Sequence, residues 1–161
     1  MGLHDFKHID GDVSHDHTLT LHDCIADRVC DSDGILRFFL PDGIWITPHH
    51  KENPLGKTVR TDAAVVDFRA EDLKEITVQV FTRRRFRKTK VDFWAMKDLM
   101  DAINHKGWEL EFIYQYRATF EQLWTCSLRS PKKPYYRECQ IHLPRTEATF
   151  YWNDLVPDRE W

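Results

Sequence analysis

An α+β fold, predominantly one curved antiparallel β-sheet carrying a single helix, follows from three features of the sequence. Aromatic residues make up 13% of the chain, and such side chains suit wide, half-buried sheet faces better than helix bundles. Apolar and polar residues alternate along several stretches, most clearly after residue 107, which is the period of a strand with one packed and one wet face. A helical period occurs only once, between Asp92 and His105. At 161 residues the chain can bury roughly two-thirds of its unfolded surface without disulfide or metal staples. A single domain spanning 1–161 is therefore expected.

The elements follow in order. The first seventeen residues are polar and aperiodic and predict a His/Asp-rich arm over the domain. Strand signals run over 18–21 and 25–29, and Asp31-Ser32-Asp33-Gly34 supplies the residues a tight turn tolerates. Residues 35–40 are the return strand of that hairpin. Pro41-Asp42-Gly43 turns the chain into a third strand at 44–47. Residues 48–61 hold two prolines, a glycine and many polar groups, and predict a loop. Segments 65–69 and 76–85 are β-like. Phe93, Met96, Leu99, Met100 and Ile103 then form one helical stripe, with Asp92 as the N-cap and Gly107 where a left-handed residue would stop the helix. Trp108, Leu110, Phe112, Tyr114 and Tyr116 alternate with mostly polar neighbours as a strand. Segments 123–128, 135–143 and 148–153 continue it as a four-strand meander.

The charge is unevenly spread. The net formal charge is −3, yet residues 1–34 carry eight Asp against one Lys and one Arg, and residues 83–90 carry six cations and no acid. A near-neutral total argues against wholesale coating of nucleic acid. No apolar run approaches the ~20 residues that span a bilayer, and the opening has neither the basic nor the apolar region of a signal peptide. No membrane association and a cytoplasmic location are expected. The four cysteines match no CxxC pair or zinc ribbon, and in a reducing compartment they are expected in the core.

Several constellations can carry chemistry. His15 and His17 project to one side of an extended chain, and His22 can complete a metal shell with them. Without a rigid second shell the same residues are simply a solvated acidic segment, and no cofactor is expected. His22 and Cys24, two apart, can share a strand face as base and nucleophile, with His142 as a further candidate. No glycine-rich elbow follows to stabilise an oxyanion, and phosphate loops, HExxH, GxSxG and EF-hand spacings are absent.

The basic run Arg83, Arg84, Arg85, Arg87, Lys88 and Lys90, with Phe86 among them, suits a phosphate backbone. If the run is a strand, however, its cations divide between two faces. It then better fits an edge that resists pairing, balances the acidic opening or docks a protein. Phe150-Tyr151-Trp152 is expected in the core, whereas Trp161 either folds back onto the sheet or serves as a contact residue.

The stretch Leu21-His22-Asp23-Cys24-Ile25-Ala26-Asp27-Arg28-Val29, followed by Gly34-Ile35-Leu36-Arg37-Phe38-Phe39-Leu40, resembles the opening hairpin of small bacterial families, some of them similar to the immunity proteins that neutralise polymorphic toxins. The resemblance spans residues 21–40. It implies a cytoplasmic, non-enzymatic domain whose charged surface recognises a protein. The expected function is a non-catalytic, immunity-like interaction module with a protein partner and scope for homo-oligomers. The alternatives are an enzyme using His22, Cys24 or His142, and, less favoured, nucleic-acid binding through 83–90.

Overall fold

The computed structural model of the protein describes residues 5–11 and 18–161. Its strands are β1 (His8–Gly11), β2 (Leu19–Thr20), β3 (Cys24–Ala26), β4 (Arg28–Ser32), β5 (Ile35–Leu40), β6 (Trp45–Ile46), β7 (Val59–Thr61), β8 (Ala64–Arg69), β9 (Thr77–Thr82) and β10 (Lys90–Ala95). Then come the helix α1 (Met96–Lys106) and the strands β11 (Glu109–Arg117), β12 (Glu121–Arg129), β13 (Tyr136–Pro144), β14 (Ala148–Trp152) and β15 (Leu155–Glu160). They form three antiparallel sheets, ordered β1-β14-β8-β5-β4, β10-β9-β13-β12-β11-β3 and β15-β7-β6-β2. The α+β class with mostly antiparallel strands is as expected. The single sheet is not, because the expected four-strand meander keeps only β11, β12 and β13, while β14 crosses to pair with β8.

The core lies between the five- and six-stranded sheets. Phe38 of β5 meets Phe68 of β8 and Phe112 of β11 edge-on, and Trp124 of β12 meets both Phe68 and Phe112, with centroids 5.2–6.1 Å apart. These T-shaped contacts place positive ring edges on negative ring faces, which adds to the area buried. The segment expected as one strand at 25–29 is split at Asp27: β3 joins the six-stranded sheet and β4 the five-stranded one. The β4–β5 hairpin forms as expected, with Asp33 and Gly34 both at positive φ in its turn, as a two-residue hairpin loop requires.

The helix starts three residues later than its stripe suggests. Asp92 is not a cap but a strand residue paired with Val80. Ala95 holds the N-cap position, and the Asp98 side chain accepts its backbone N–H at 2.9 Å, half of a capping box. Gly107 ends the helix at φ 71° as expected, and the Trp108 amide reaches back to the Ala102 carbonyl at 3.1 Å. Met96, Leu99 and Ile103 enter the core. Asn104 ties the helix to the edge strand β4, donating to the Val29 carbonyl at 2.7 Å and accepting the Val29 amide at 2.9 Å.

Three further expectations change. Part of the opening arm is a strand, since β1 pairs with β14 and Phe6 packs beside Tyr151. The 48–61 loop ends in β7. The alternation along β11 holds through Leu110 and Phe112, both buried, but fails beyond, where Tyr114 and Tyr116 are exposed. Phe112 faces Cys126 and Tyr114 faces Thr125, so Ile113 is an extra residue. A bulge of one residue reverses which face every later side chain takes.

Candidate functional site

The basic run does not form a strand. β9 ends at Thr82 and β10 begins at Lys90, with these two paired in register, so residues 83–89 are a hairpin loop whose cations gather at one tip instead of dividing between faces. Within it the Arg87 amide bonds the Arg84 carbonyl, and Phe86, at φ 62°, is 92% exposed with the Arg85 guanidinium 5.0 Å from its ring centre. Arg83 pairs with Glu138 and Lys90 with Asp92. Among the described residues, Arg84, Arg85, Arg87 and Lys88 have no ion pair, and the run does not bond the acidic opening. Asp10 of that opening is instead held by His50 and Lys51.

Beside the tip lies the outer face of the six-stranded sheet. Because Val78, Val80, Ile141 and Trp124 point into the core, register puts Val91, Phe93, Tyr136, Tyr114 and Tyr116 on the opposite side. Phe93 is 72% and Tyr136 67% exposed. The basic tip is thus contiguous with Val91, Phe93 and Tyr136 on the β10 edge and outer face of this sheet, with Tyr114 and Tyr116 farther across that face on β11.

His22 falls elsewhere. Its Nδ1 donates to the Ile113 carbonyl at 2.5 Å, Nε2 stands 3.4 Å from Asp23 Oδ2, and the ring stacks on Trp161. With Ile113 and Trp161 it lines a cleft of about 440 Å³, along with Leu19, Leu21, Gln115, Arg117, Trp124 and Phe150. His15 and His17 lie outside the described residues, and among the described ones no three His, Cys, Asp or Glu converge to hold a metal.

Cys24 and His142 do not join His22 as a catalytic group. The Cys24 thiol is fully buried, and burial pushes it up to about 11 against the Arg60 charge that pulls it down, so it is protonated and unreactive at neutral pH. His142 lines a different depression, with Glu75, Thr77 and Phe120.

One polar cluster escaped the sequence reading. His50, in the expected loop, is buried against Trp152. Its Nδ1 accepts the Glu52 amide at 3.1 Å, so the proton sits on Nε2, which donates to Asp10 at 3.0 Å. Both ring nitrogens are used, and the pair anchors β1 without leaving a nitrogen for chemistry. Only an Asp and a His forty residues apart signal it, which no local pattern reveals.

The chain matches no family model, and comparison with curated proteins and with solved structures found no match.

Proposed function

We propose that the protein is a non-catalytic interaction module that binds an acidic protein partner through the 83–90 hairpin tip and the adjoining face of the six-stranded sheet. The observation that carries this reading is the contiguity of four cations that have no ion pair among the described residues with exposed Phe86, Val91, Phe93 and Tyr136. Arginine with aromatic residues is the composition of protein interface centres. Nucleic acid would favour a uniformly basic groove, whereas acids Glu111 and Glu138 lie on this same face, paired to Arg129 and Arg83. An immunity-like role, in which one protein is recognised and blocked in the cytoplasm, accords with the resemblance of residues 21–40 to such families.

The test is chemical cross-linking in lysate of cells that express the protein, with and without nuclease. A partner should be captured by the wild type, survive nuclease, and be lost with both Arg84→Glu/Arg87→Glu/Lys88→Glu and Phe93→Asp. Capture that is abolished by nuclease, or unchanged by both variants, refutes the reading.

A further inference from the structure

Strand β10 is the outermost strand of the six-stranded sheet and, among the described residues, pairs with a single neighbour, β9. Ala95 fixes which of its main-chain groups that leaves open. It stands opposite Thr77, yet its amide donates to the Asp98 side chain and not to β9. Hydrogen-bonded and non-hydrogen-bonded pairs alternate along an antiparallel ladder. Lys90, Asp92 and Trp94 therefore bond β9, and Val91 and Phe93 turn their amides and carbonyls away from it. The other end of the sheet gives the same parity. The Ser130 amide bonds the Tyr135 carbonyl just past the β12–β13 ladder, and counting from there through the registers of β13 and β9 assigns Val78, Val80 and Thr82 to face β10.

A free strand edge is a row of donors and acceptors that pairs with another strand unless something blunts it. β10 has no proline, and its outer face carries the exposed apolar side chains of Val91 and Phe93. A row of like charges would repel a second copy. Lys90 and Asp92 are instead of opposite sign, two apart on one face, and reach each other at 3.0 Å within the chain.

Their order makes the strand complementary to itself. In a second copy running antiparallel about a two-fold axis at Val91, the two Val91 residues form a hydrogen-bonded pair. Lys90 of each copy then stands opposite Asp92 of the other, in the pairs whose side chains approach most closely. Phe93 stands opposite Thr89. An axis one residue further on would set Asp92 against Asp92, and an axis at Phe93 would call on the Ala95 amide that Asp98 already holds. The basic tips do not oppose the pairing. Phe86 lies five residues from Val91, so the two tips fall on opposite sides of the axis, roughly 30 Å apart and well beyond the screening length of about 8 Å at physiological salt.

We infer that the protein forms a two-fold dimer through the β10 edge, in which the six-stranded sheets of two copies join into one continuous sheet with Val91 on the axis and Lys90 paired to Asp92 across it. A two-fold contact is made of the same patch on both copies, so each favourable pairing occurs twice. The inference stands apart from the proposed function, since it needs no other protein and none of the cations that lack an ion pair.

The test is sedimentation equilibrium of the full chain alone, from about 1 to 200 µM, the range in which small interfaces associate. The mass should rise from 19.3 kDa toward twice that value. Lys90→Asp and Asp92→Lys each place like charges opposite one another, and each alone should weaken self-association by about tenfold or more. Mixed in equal amounts, the two variants are complementary and should form a dimer containing one of each. The double change Lys90→Asp/Asp92→Lys should dimerise like the wild type. Val91→Pro removes an amide that faces away from β9, which an edge strand tolerates, and should weaken the dimer by about tenfold with an unchanged circular dichroism spectrum. A wild type that stays at 19.3 kDa throughout, a dimer indifferent to the single charge changes and to Val91→Pro, or single variants that fold yet do not pair when mixed overturns the inference.

Discussion

The Nδ1–H of His22 caps the carbonyl of Ile113, the one residue of β11 with no partner across the β11–β12 ladder. A bulge residue leaves main-chain groups without ladder bonds, and a buried carbonyl so orphaned costs about 1–3 kcal/mol. His22→Ala should therefore lower stability by roughly 1–2 kcal/mol in urea unfolding and speed amide exchange around 112–114. Unchanged stability with unchanged exchange would mean that the histidine is incidental to the bulge.

Arg37 and Asp67 are a fork-to-fork pair on the five-stranded sheet, with both contacts at 2.6 Å and Asp67 buried. Removing one partner strands the other's charge at low dielectric. Asp67→Asn should cost about 2–3 kcal/mol, and the paired change Arg37→Met/Asp67→Leu considerably less. The cycle is measured by chemical denaturation, and a double variant worse than the single one would contradict it.

Gly43 sits at φ 78° where the Pro41-Asp42-Gly43 turn passes over β7, and a Cβ there would collide with the carbonyl oxygens of Thr61 and Asp62. Gly43→Ala should cost about 3 kcal/mol or more, because unfavourable φ and backbone collision combine. Gly56 shares the positive φ but has open space around it, so Gly56→Ala should cost only about 1 kcal/mol. Equal losses in thermal melts would show that φ alone matters.

The thiols set an alkaline limit. Burial holds Cys24 at about 11 and Cys139 at about 12, and pushes Cys126 well above the usual 9.0. Below pH 9 both folded and unfolded thiols are protonated. Between pH 9 and about 11 to 12 the unfolded chain sheds protons that the folded chain keeps, so stability falls as pH rises through that window. At pH 8 the half-exposed Cys30 should react with a chromogenic disulfide well before the other three. Four equal rates in the native state would refute the burial assignment.

What the sequence made legible was local. The Asp33-Gly34 turn, the Gly107 stop and the alternation from Trp108 to Phe112 each rest on residues whose conformational cost or burial is decided by near neighbours. Ile113 lies beyond such reasoning. Nothing in Phe112-Ile113-Tyr114 marks an inserted residue, yet it turns Tyr114 and Tyr116 outward and Gln115 inward. Asp92 misled because a good cap also tolerates a strand, and the pairing of Lys90–Ala95 with β9 decided between them. Alternation is silent about where a hairpin turns, so the sequence leaves open whether the basic run is a strand. Its gathering at a tip became visible only from the Thr82–Lys90 pairing.

Binding of a protein by the basic tip and its aromatic face, as proposed, is tested by an amide-exchange footprint of the isotope-labelled chain with its cross-linked partner bound. Protection centred on 83–93 and Tyr136, weakening as salt is raised, is the result this account predicts. A bound partner that leaves those residues exchanging as fast as in the free chain would contradict it.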